Sequence, residues 1–188
     1  MHDIEPFYRW KELYNAQNDR RSPFFGKEYS ELFFENQVYN HYIHPQWDTI
    51  GSQTLYLKVL FADYKTGFAI IELIGEWNDT IENDVMNLKY ALIDTMIDQG
   101  INKFILIGEN ILNFHASDDC YYQEWFDQIE EGWIVALNFR QHVIDEFQSA
   151  NIDYYLLFGG EFDAFNWRQF KPSQLYQVID ALVIKRLD

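Results

Sequence analysis

Acidic, amide and histidine side chains follow apolar segments at three places in the chain, and they are the residues best suited to bind a ligand. In open α/β sheets, ligands bind beyond the carboxyl ends of the strands. The predicted ligand-binding residues are Glu76, Asn78, Asp79, Glu109, Asn110, His115, Asp118, Arg140 and His142. Arg140 and His142 follow the third apolar segment, where they would bind an anion or offset nearby acids.

The chemistry of these residues stays open between several alternatives. With Asp119 added, the acids and His115 could coordinate Mg²⁺, Mn²⁺ or Ca²⁺. Asp and Asn are also ordinary caps of helices and turns. The HExxH and Asp-x-Asp spacings do not occur, so the sequence predicts no metal and no cofactor. Glu76 and Glu109 would serve as general acid and base if Trp77 desolvated one of them.

Two further sets of residues have the right types for chemistry but an unfavourable spacing. The residue types of a catalytic triad occur at His115, Ser117 and Asp118. Triad members seldom come from adjacent positions, and the Gly-x-Ser-x-Gly motif does not occur. His41 and His44 would point to opposite faces of a strand, which disfavours a shared metal. The sequence therefore predicts no catalytic residues.

Composition limits the class of partner and the compartment. The 188 residues carry a net charge of −16, which argues against nucleic acid and anionic membranes as partners. No segment approaches the roughly 20 apolar residues of a membrane-spanning helix. The N-terminus lacks the apolar region of a secretory signal, and the single cysteine, Cys120, excludes an intramolecular disulfide. These observations predict a cytoplasmic protein.

The elements that must position the polar residues are visible in the hydrophobic pattern. Leu55–Phe61 and Phe68–Ile74 are apolar runs joined by a short turn, which predicts an antiparallel hairpin. Apolar residues three and four positions apart predict a helix over 80–99, with Asp79 and Glu82 as a capping box. The elements predicted after it are strand 104–107, helix 118–129, strand 133–137, helix 140–149, strand 154–158 and a helix from Pro172. The predicted fold is α/β, a mixed, mostly parallel sheet with an N-terminal antiparallel hairpin and helices packed on it.

The N-terminal quarter differs from the rest in its aromatic content. Residues 1–50 are predicted to be an aromatic-rich extension packed on the core, with strand character over 32–42, and residues 51–188 the α/β domain. Aromatic side chains make up 19% of the chain and are concentrated in this extension. They would either dock the extension over the sheet or supply a protein interface.

Residues 68–80, Phe-Ala-Ile-Ile-Glu-Leu-Ile-Gly-Glu-Trp-Asn-Asp-Thr, resemble the strand and "GELD" opening of STAS domains, the fold of anti-sigma-factor antagonists such as SpoIIAA. The following helix and strand match that family in order and length, and the resemblance extends over about 67–160. It places Ser117 on the serine that is the regulatory phosphorylation site of the antagonists. The neighbouring residues His115, Ala116 and Asp118 depart from the family's pattern. From the sequence alone, Ser117 is also the expected N-cap of a helix that begins at Asp118.

Three hypotheses for function follow. The first is a non-catalytic, cytoplasmic protein-interaction or regulatory module of STAS-like type, with a protein partner or a second copy of itself, and with a small ligand still possible. The second is a small-molecule or divalent-metal-binding enzyme that uses Glu76, Glu109, His115 and Asp118. The third is a structural homo-oligomer that associates through the aromatic N-terminal extension.

Overall fold

The computed structural model describes residues 4–187 and has a five-stranded mixed sheet at its centre. The strands are β1 (Gln37–Val38), β2 (His41–Tyr42), β3 (Asp48–Thr49), β4 (Leu55–Asp63), β5 (Phe68–Asn78), β6 (Lys103–His115) and β7 (Trp133–Leu137). The sheet order is β3-β4-β5-β6-β7, and β1 and β2 form a separate hairpin. The first two pairings of the sheet are antiparallel, and β5, β6 and β7 run parallel. The predicted α/β class is confirmed.

Helices cover both faces of this sheet. They are α1 (Asp84–Leu88), a π-helical turn (Lys89–Ile93), α2 (Asp94–Asp98), α3 (Cys120–Gln128), α4 (Gln141–Ser149) and α5 (Pro172–Leu187). The helices from α1 to α4 pack on one face, which carries Leu57, Leu73 and Trp77. On the other face, α5 packs against Ile105 and Val135. None of the helices in residues 4–187 has both the length and the apolar character that crossing a membrane requires.

The segment before β4 is mostly irregular and contributes buried side chains to both faces of the sheet. Trp10 is buried beside Trp167, with 5.6 Å between the ring centroids. Trp47 is buried with Tyr56 and Ile74, which project from β4 and β5. Aromatic side chains therefore attach this segment along the length of the sheet, while other aromatic side chains in it stay exposed.

Several local predictions are wrong in detail. The helix predicted over 80–99 begins at Asp84, because Asn83 has a left-handed backbone with φ of 53° and turns the chain there. Ile81 consequently lies outside the helix and is 78% exposed. Residues 32–42 form only the short β1–β2 hairpin. The predicted strand 154–158 does not form: a 3₁₀ turn spans Ile152–Tyr154, and Leu157 makes a single bridge to Val135 of β7.

The largest correction concerns the polar segment after the predicted strand 104–107. This segment was expected to be a loop, but β6 continues through it to His115. Its pairing with β5 is maintained by two register shifts, one between Glu72 and Ile74 and one between Gly75 and Trp77. Several of the predicted ligand-binding residues therefore lie on a strand.

Candidate functional site

Three of the predicted residues meet at the carboxyl end of β5 and β6, in a group here called the Glu76 cluster. One oxygen of Glu76, Oε1, lies 2.8 Å from His115 Nε2 and accepts a hydrogen bond from Asn78 Nδ2 at 3.2 Å. The other carboxylate oxygen accepts a hydrogen bond from the Tyr39 hydroxyl. Asn113 Nδ2 donates to the Tyr39 oxygen at 3.4 Å. The cluster thus joins two strands of the sheet to the β1–β2 hairpin.

Local backbone geometry explains why these side chains meet. Parallel pairing places Asn78 directly beside His115 in the register of β5 and β6. Gly75 has a φ of 112°, and a Cβ there would lie 2.1 Å from the carbonyl oxygen of Thr54, so only glycine fits. Tyr39 occupies the turn between β1 and β2 with a φ of 53°, which is uncommon for a residue that is not glycine. This conformation directs its hydroxyl to Glu76.

Asp79, also a predicted ligand-binding residue, is buried and fully engaged inside the protein. Its Oδ1 accepts hydrogen bonds from the Val85 amide at 2.8 Å and from Trp77 Nε1 at 3.0 Å. Its Oδ2 accepts a hydrogen bond from the Tyr122 hydroxyl at 2.6 Å. Burial raises the pKa of Asp79 to about 6, against the lowering effect of these donors. Asp79 thus joins the first turn of α1 to β5 and α3 rather than facing a ligand.

Glu109 belongs to a separate group, on the face of the sheet that α5 covers. Its Oε1 accepts hydrogen bonds from Asn138 Nδ2 and Trp167 Nε1, both at 2.8 Å. Its Oε2 lies 2.6 Å from a guanidinium nitrogen of Arg168. Although burial opposes it, hydrogen bonding with Arg168, Asn138 and Trp167 lowers the pKa of Glu109. These contacts hold the segment before α5 against β6.

The remaining predicted residues are spread over several surroundings. Asn110 and Arg140 line a small cavity of about 140 Å³ beside Gly75. His142 Nε2 lies 2.7 Å from the carbonyl oxygen of Leu112. The structure therefore brings Glu76, Asn78 and His115 together, and it places Asp79 and Glu109 in different networks.

Ser117 and Asp118 lie in the exposed connection before α3. The expected N-cap role of Ser117 is wrong, because α3 begins at Cys120 and its N-cap is Asp119. Asp118 accepts the Cys120 amide hydrogen bond at 3.2 Å. An exposed serine is accessible to modification, and phosphorylation of Ser117 stays a prediction.

Metal coordination finds no support in this arrangement. Among residues 4–187, no group of three or more His, Cys, Asp or Glu side chains is arranged to hold a metal ion. His115 is half-exposed beside a nearly buried Glu76, and these two side chains are the only His and acid of the Glu76 cluster. The other carboxylates described above are already occupied by donors of the protein itself.

Sequence reasoning missed a group of charged residues under the N-terminal segment, here called the lysine cluster. Asp48 of β3 is fully buried, and its two carboxylate oxygens lie 2.8 Å from Lys27 Nζ and 3.2 Å from Lys58 Nζ. The Tyr29 hydroxyl donates to Asp48 Oδ1 at 2.7 Å. One signal was visible beforehand, since Lys58 is the single charged residue within the apolar run Leu55–Phe61.

An exposed apolar groove was also missed, here called the aromatic groove. Its volume is about 440 Å³, and it is lined by Leu32, Phe33, Phe34, Glu35 and Tyr42. Leu32 is 81% exposed and Phe33 72% exposed. The composition of residues 32–42 predicts a strand, and in a strand half of these side chains would face the sheet.

Comparison with known proteins gives matches in structure alone. No protein-family model and no curated protein matches this chain. The anti-sigma factor antagonist SpoIIAA in its unphosphorylated form matches with a TM-score of 0.42 and 16% identity, over 56% of this chain and 89% of that chain. The Bacillus cell fate determinant SpoIIAA in its phosphorylated form matches with a TM-score of 0.40 and 15% identity, over 67% of this chain and 98% of that chain. Both matches are partial likenesses of fold at low sequence identity.

Proposed function

We propose that this chain is a non-catalytic, cytoplasmic protein-interaction module, and that the aromatic groove is its contact surface. The observation that carries the proposal is the outward placement of Leu32 and Phe33. Both backbone amides donate to Ser30 Oγ, at 3.1 and 3.0 Å, so a turn holds the two side chains in solvent. Apolar side chains that a local hydrogen-bonded turn keeps exposed favour binding to a partner.

The wall of the groove is also structured. The Phe34 ring packs edge-on against His44 with 5.4 Å between centroids, and it meets Tyr42 at 6.5 Å. These contacts fix one side of the groove before a partner arrives, which lowers the entropy cost of binding. Aromatic side chains are also enriched where binding energy is concentrated.

Charge around the groove indicates the chemistry of the partner. Glu28, Glu31 and Glu35 are exposed in the same stretch of chain. A peptide segment that presents apolar side chains between lysines or arginines would complement this surface. A second copy is less suitable, because each copy carries a net charge of −16. The partner we propose is therefore another protein with a basic, apolar segment.

The enzyme hypothesis fits the described residues less well. Its four residues do not form one constellation, because Glu109 is held by Arg168 and Trp167 while Asp118 accepts the hydrogen bond of an amide in its own loop. Glu76 and His115 remain as a pair. Support for the interaction module comes from the groove, and the resemblance of residues 67–160 to STAS domains predicted the same class of function.

The test uses the full chain, a Leu32→Ser/Phe33→Ser double variant and a matched control, Ile184→Ser, which alters a 53% exposed side chain on α5. A protein captured by the wild type is purified, and its affinity for each variant is measured by calorimetry. We expect the double variant to weaken binding about 30-fold or more, and the control to leave it within about twofold. Raising the salt concentration should also weaken binding.

Two results would overturn the proposal. One is a captured partner that binds the double variant as tightly as the wild type. The other is a wild-type dimer in sedimentation experiments that the double variant loses, since the occupant of the groove would then be a second copy. Circular dichroism of the double variant verifies that the fold is intact.

A further inference from the structure

A cavity lies between the N-terminal segment and β4, next to the lysine cluster. Its volume is about 510 Å³. Phe7, Tyr14 and Tyr29 contribute ring surfaces, and Lys11, Lys27 and Lys58 contribute ammonium groups. A cavity of this size accommodates a small organic molecule. None of its lining residues was singled out as a ligand-binding residue from the sequence.

At the base of this cavity two ammonium groups contact a single carboxylate. The ammonium groups of Lys27 and Lys58 share one carboxylate, that of Asp48. Lys58 Nζ also donates to the carbonyl oxygen of Gln46 at 2.9 Å and lies 3.6 Å from the centre of the Tyr29 ring. These contacts stabilise an ammonium group but supply no second negative charge.

The pKa of Lys58 is lowered to about 8, mainly by burial. Repulsion from Lys27 and Lys11 also lowers it, whereas Asp48 raises it. A bound anion would favour the charged form of the ammonium group. It would therefore raise the pKa of Lys58, and binding would be coupled to uptake of a proton.

The acids near the cavity do not remove the imbalance. Glu5, Glu28 and Glu31 line the cavity and are exposed, as Lys11 is, so water screens these charges more than those of Lys27 and Lys58. Glu72 lies opposite Lys58 in the register of β4 and β5, but its Oε2 accepts the Phe7 amide hydrogen bond at 2.8 Å.

Contacts within the protein and a raised pKa also limit the negative charge that these acids present to the cavity. The Glu31 carboxylate accepts a hydrogen bond from Gln46 Nε2 at 2.6 Å, and Glu5 lies 3.8 Å from His44. Burial raises the pKa of Glu72 to about 7, which reduces its average charge at neutral pH.

We propose that this cavity binds a small organic anion through a carboxylate or phosphate group held by Lys58 and Lys27. The rings of Tyr14 and Tyr29 then contact the body of the ligand. Amide groups from Asn15 and Gln17 in the lining supply further hydrogen-bonding partners. None of the residues that line the aromatic groove lines this cavity.

Isothermal titration calorimetry with citrate and with adenosine monophosphate, at millimolar concentration, tests the proposal and separates carboxylate from phosphate recognition. The informative variant is Lys11→Met, because Lys11 lines the cavity without contacting Asp48, so its loss leaves the buried ion pairs in place. Lys65→Met, in the exposed turn after β4, is the matched control. We expect Lys11→Met to weaken binding about fivefold and the control to leave it unchanged.

The pH dependence provides a second readout. Between about pH 7 and about pH 9 the affinity should fall, because Lys58 loses its proton in the free protein over this range. Lys58→Met should reduce that dependence to the part that Glu72 contributes near pH 7, provided that its circular dichroism spectrum matches the wild type. The proposal is overturned if neither probe binds, or if Lys11→Met and Lys65→Met bind equally well. The Leu32→Ser/Phe33→Ser variant should bind both probes as the wild type does. A failure of the anion-site proposal can therefore be distinguished from a failure of the proposed groove function.

Discussion

The networks at the end of the sheet and the lysine cluster differ in how their charges are balanced. Asp79 accepts hydrogen bonds from three donors, and Glu109 accepts bonds from two neutral donors and from Arg168. Under the N-terminal segment, two ammonium groups share Asp48. Both regions are partly buried, so a charge that lacks a partner there lowers the stability of the protein.

The difference indicates which buried charges are structural. A carboxylate that already accepts three or more hydrogen bonds from the protein has little remaining capacity for a ligand, and it stabilises the elements it joins. A charge that is only partly compensated costs stability, and it can be compensated by a ligand of opposite charge. Most of the acids predicted from the sequence to bind a ligand are fully paired carboxylates of this structural type. The lysine cluster instead holds charges that are only partly compensated.

The largest expected loss of stability is at Asp79, a carboxylate paired with donors of the protein. Asp79→Ala removes the acceptor of the Val85 amide, the Trp77 indole and the Tyr122 hydroxyl, all of which are buried. We expect the free energy of unfolding to fall by about 3 kcal/mol, since each buried donor left unpaired is costly. Urea denaturation measures this change. The control Asp127→Ala, at an exposed position of α3, should change it by less than about 0.5 kcal/mol, and equal losses for the two variants would contradict a structural role for Asp79.

A smaller effect is expected at Glu72, an incompletely matched charge. Burial raises its pKa from 4.5 to about 7, so the folded protein favours the protonated acid. The stability that this protonation contributes is present below about pH 4.5 and is lost as the pH rises through 7. Glu72→Gln should therefore be more stable than the wild type at pH 8, by about 2 kcal/mol, and nearly equal to it at pH 5.

Urea denaturation of the wild type and Glu72→Gln across this pH range measures the difference in their free energies of unfolding. Asp79 and Asp84 are present in both proteins, so their titration cancels in this difference. Gln retains an oxygen that accepts the Phe7 amide hydrogen bond, so the contact to the N-terminal segment is preserved. A difference that is constant with pH would show that Glu72 is already matched in the fold.

The parts of the fold that were predictable are those where one face is buried by regular elements. Strands β4, β5 and β7 coincide with apolar runs, and the stripe Val85, Leu88, Leu92 and Met96 is buried as its spacing predicted. The start of α1 was not predictable, because it depends on the left-handed conformation of Asn83. The length of β6 was obscured by its polar residues, which alternate with Ile111 and Phe114 near its end.

In the candidate site, only contacts that follow directly from the pairing of two neighbouring strands could be predicted from the sequence. Glu76 and His115 meet because β5 and β6 are neighbours, and both residues were expected beyond strand ends. Tyr39 completes the cluster from a hairpin far away in sequence, so nothing local indicates the contact. Lys58 gave a signal through its place in an apolar run, but its partner Asp48 could be found only from the pairing of β3 with β4.

The smallest expected effect concerns His115, which pairs with Glu76 at the edge of the matched region. The His115 side chain is 48% exposed, so solvent screens its contact with the carboxylate. His115→Ala should lower the free energy of unfolding by less than about 1 kcal/mol, because Glu76 keeps its bonds to Asn78 and Tyr39. His115→Gln retains a donor and should recover part of this loss in urea denaturation. A loss well above that of exposed pairs, recovered by His115→Gln, would place His115 among the matched buried groups and extend that region to the end of β6.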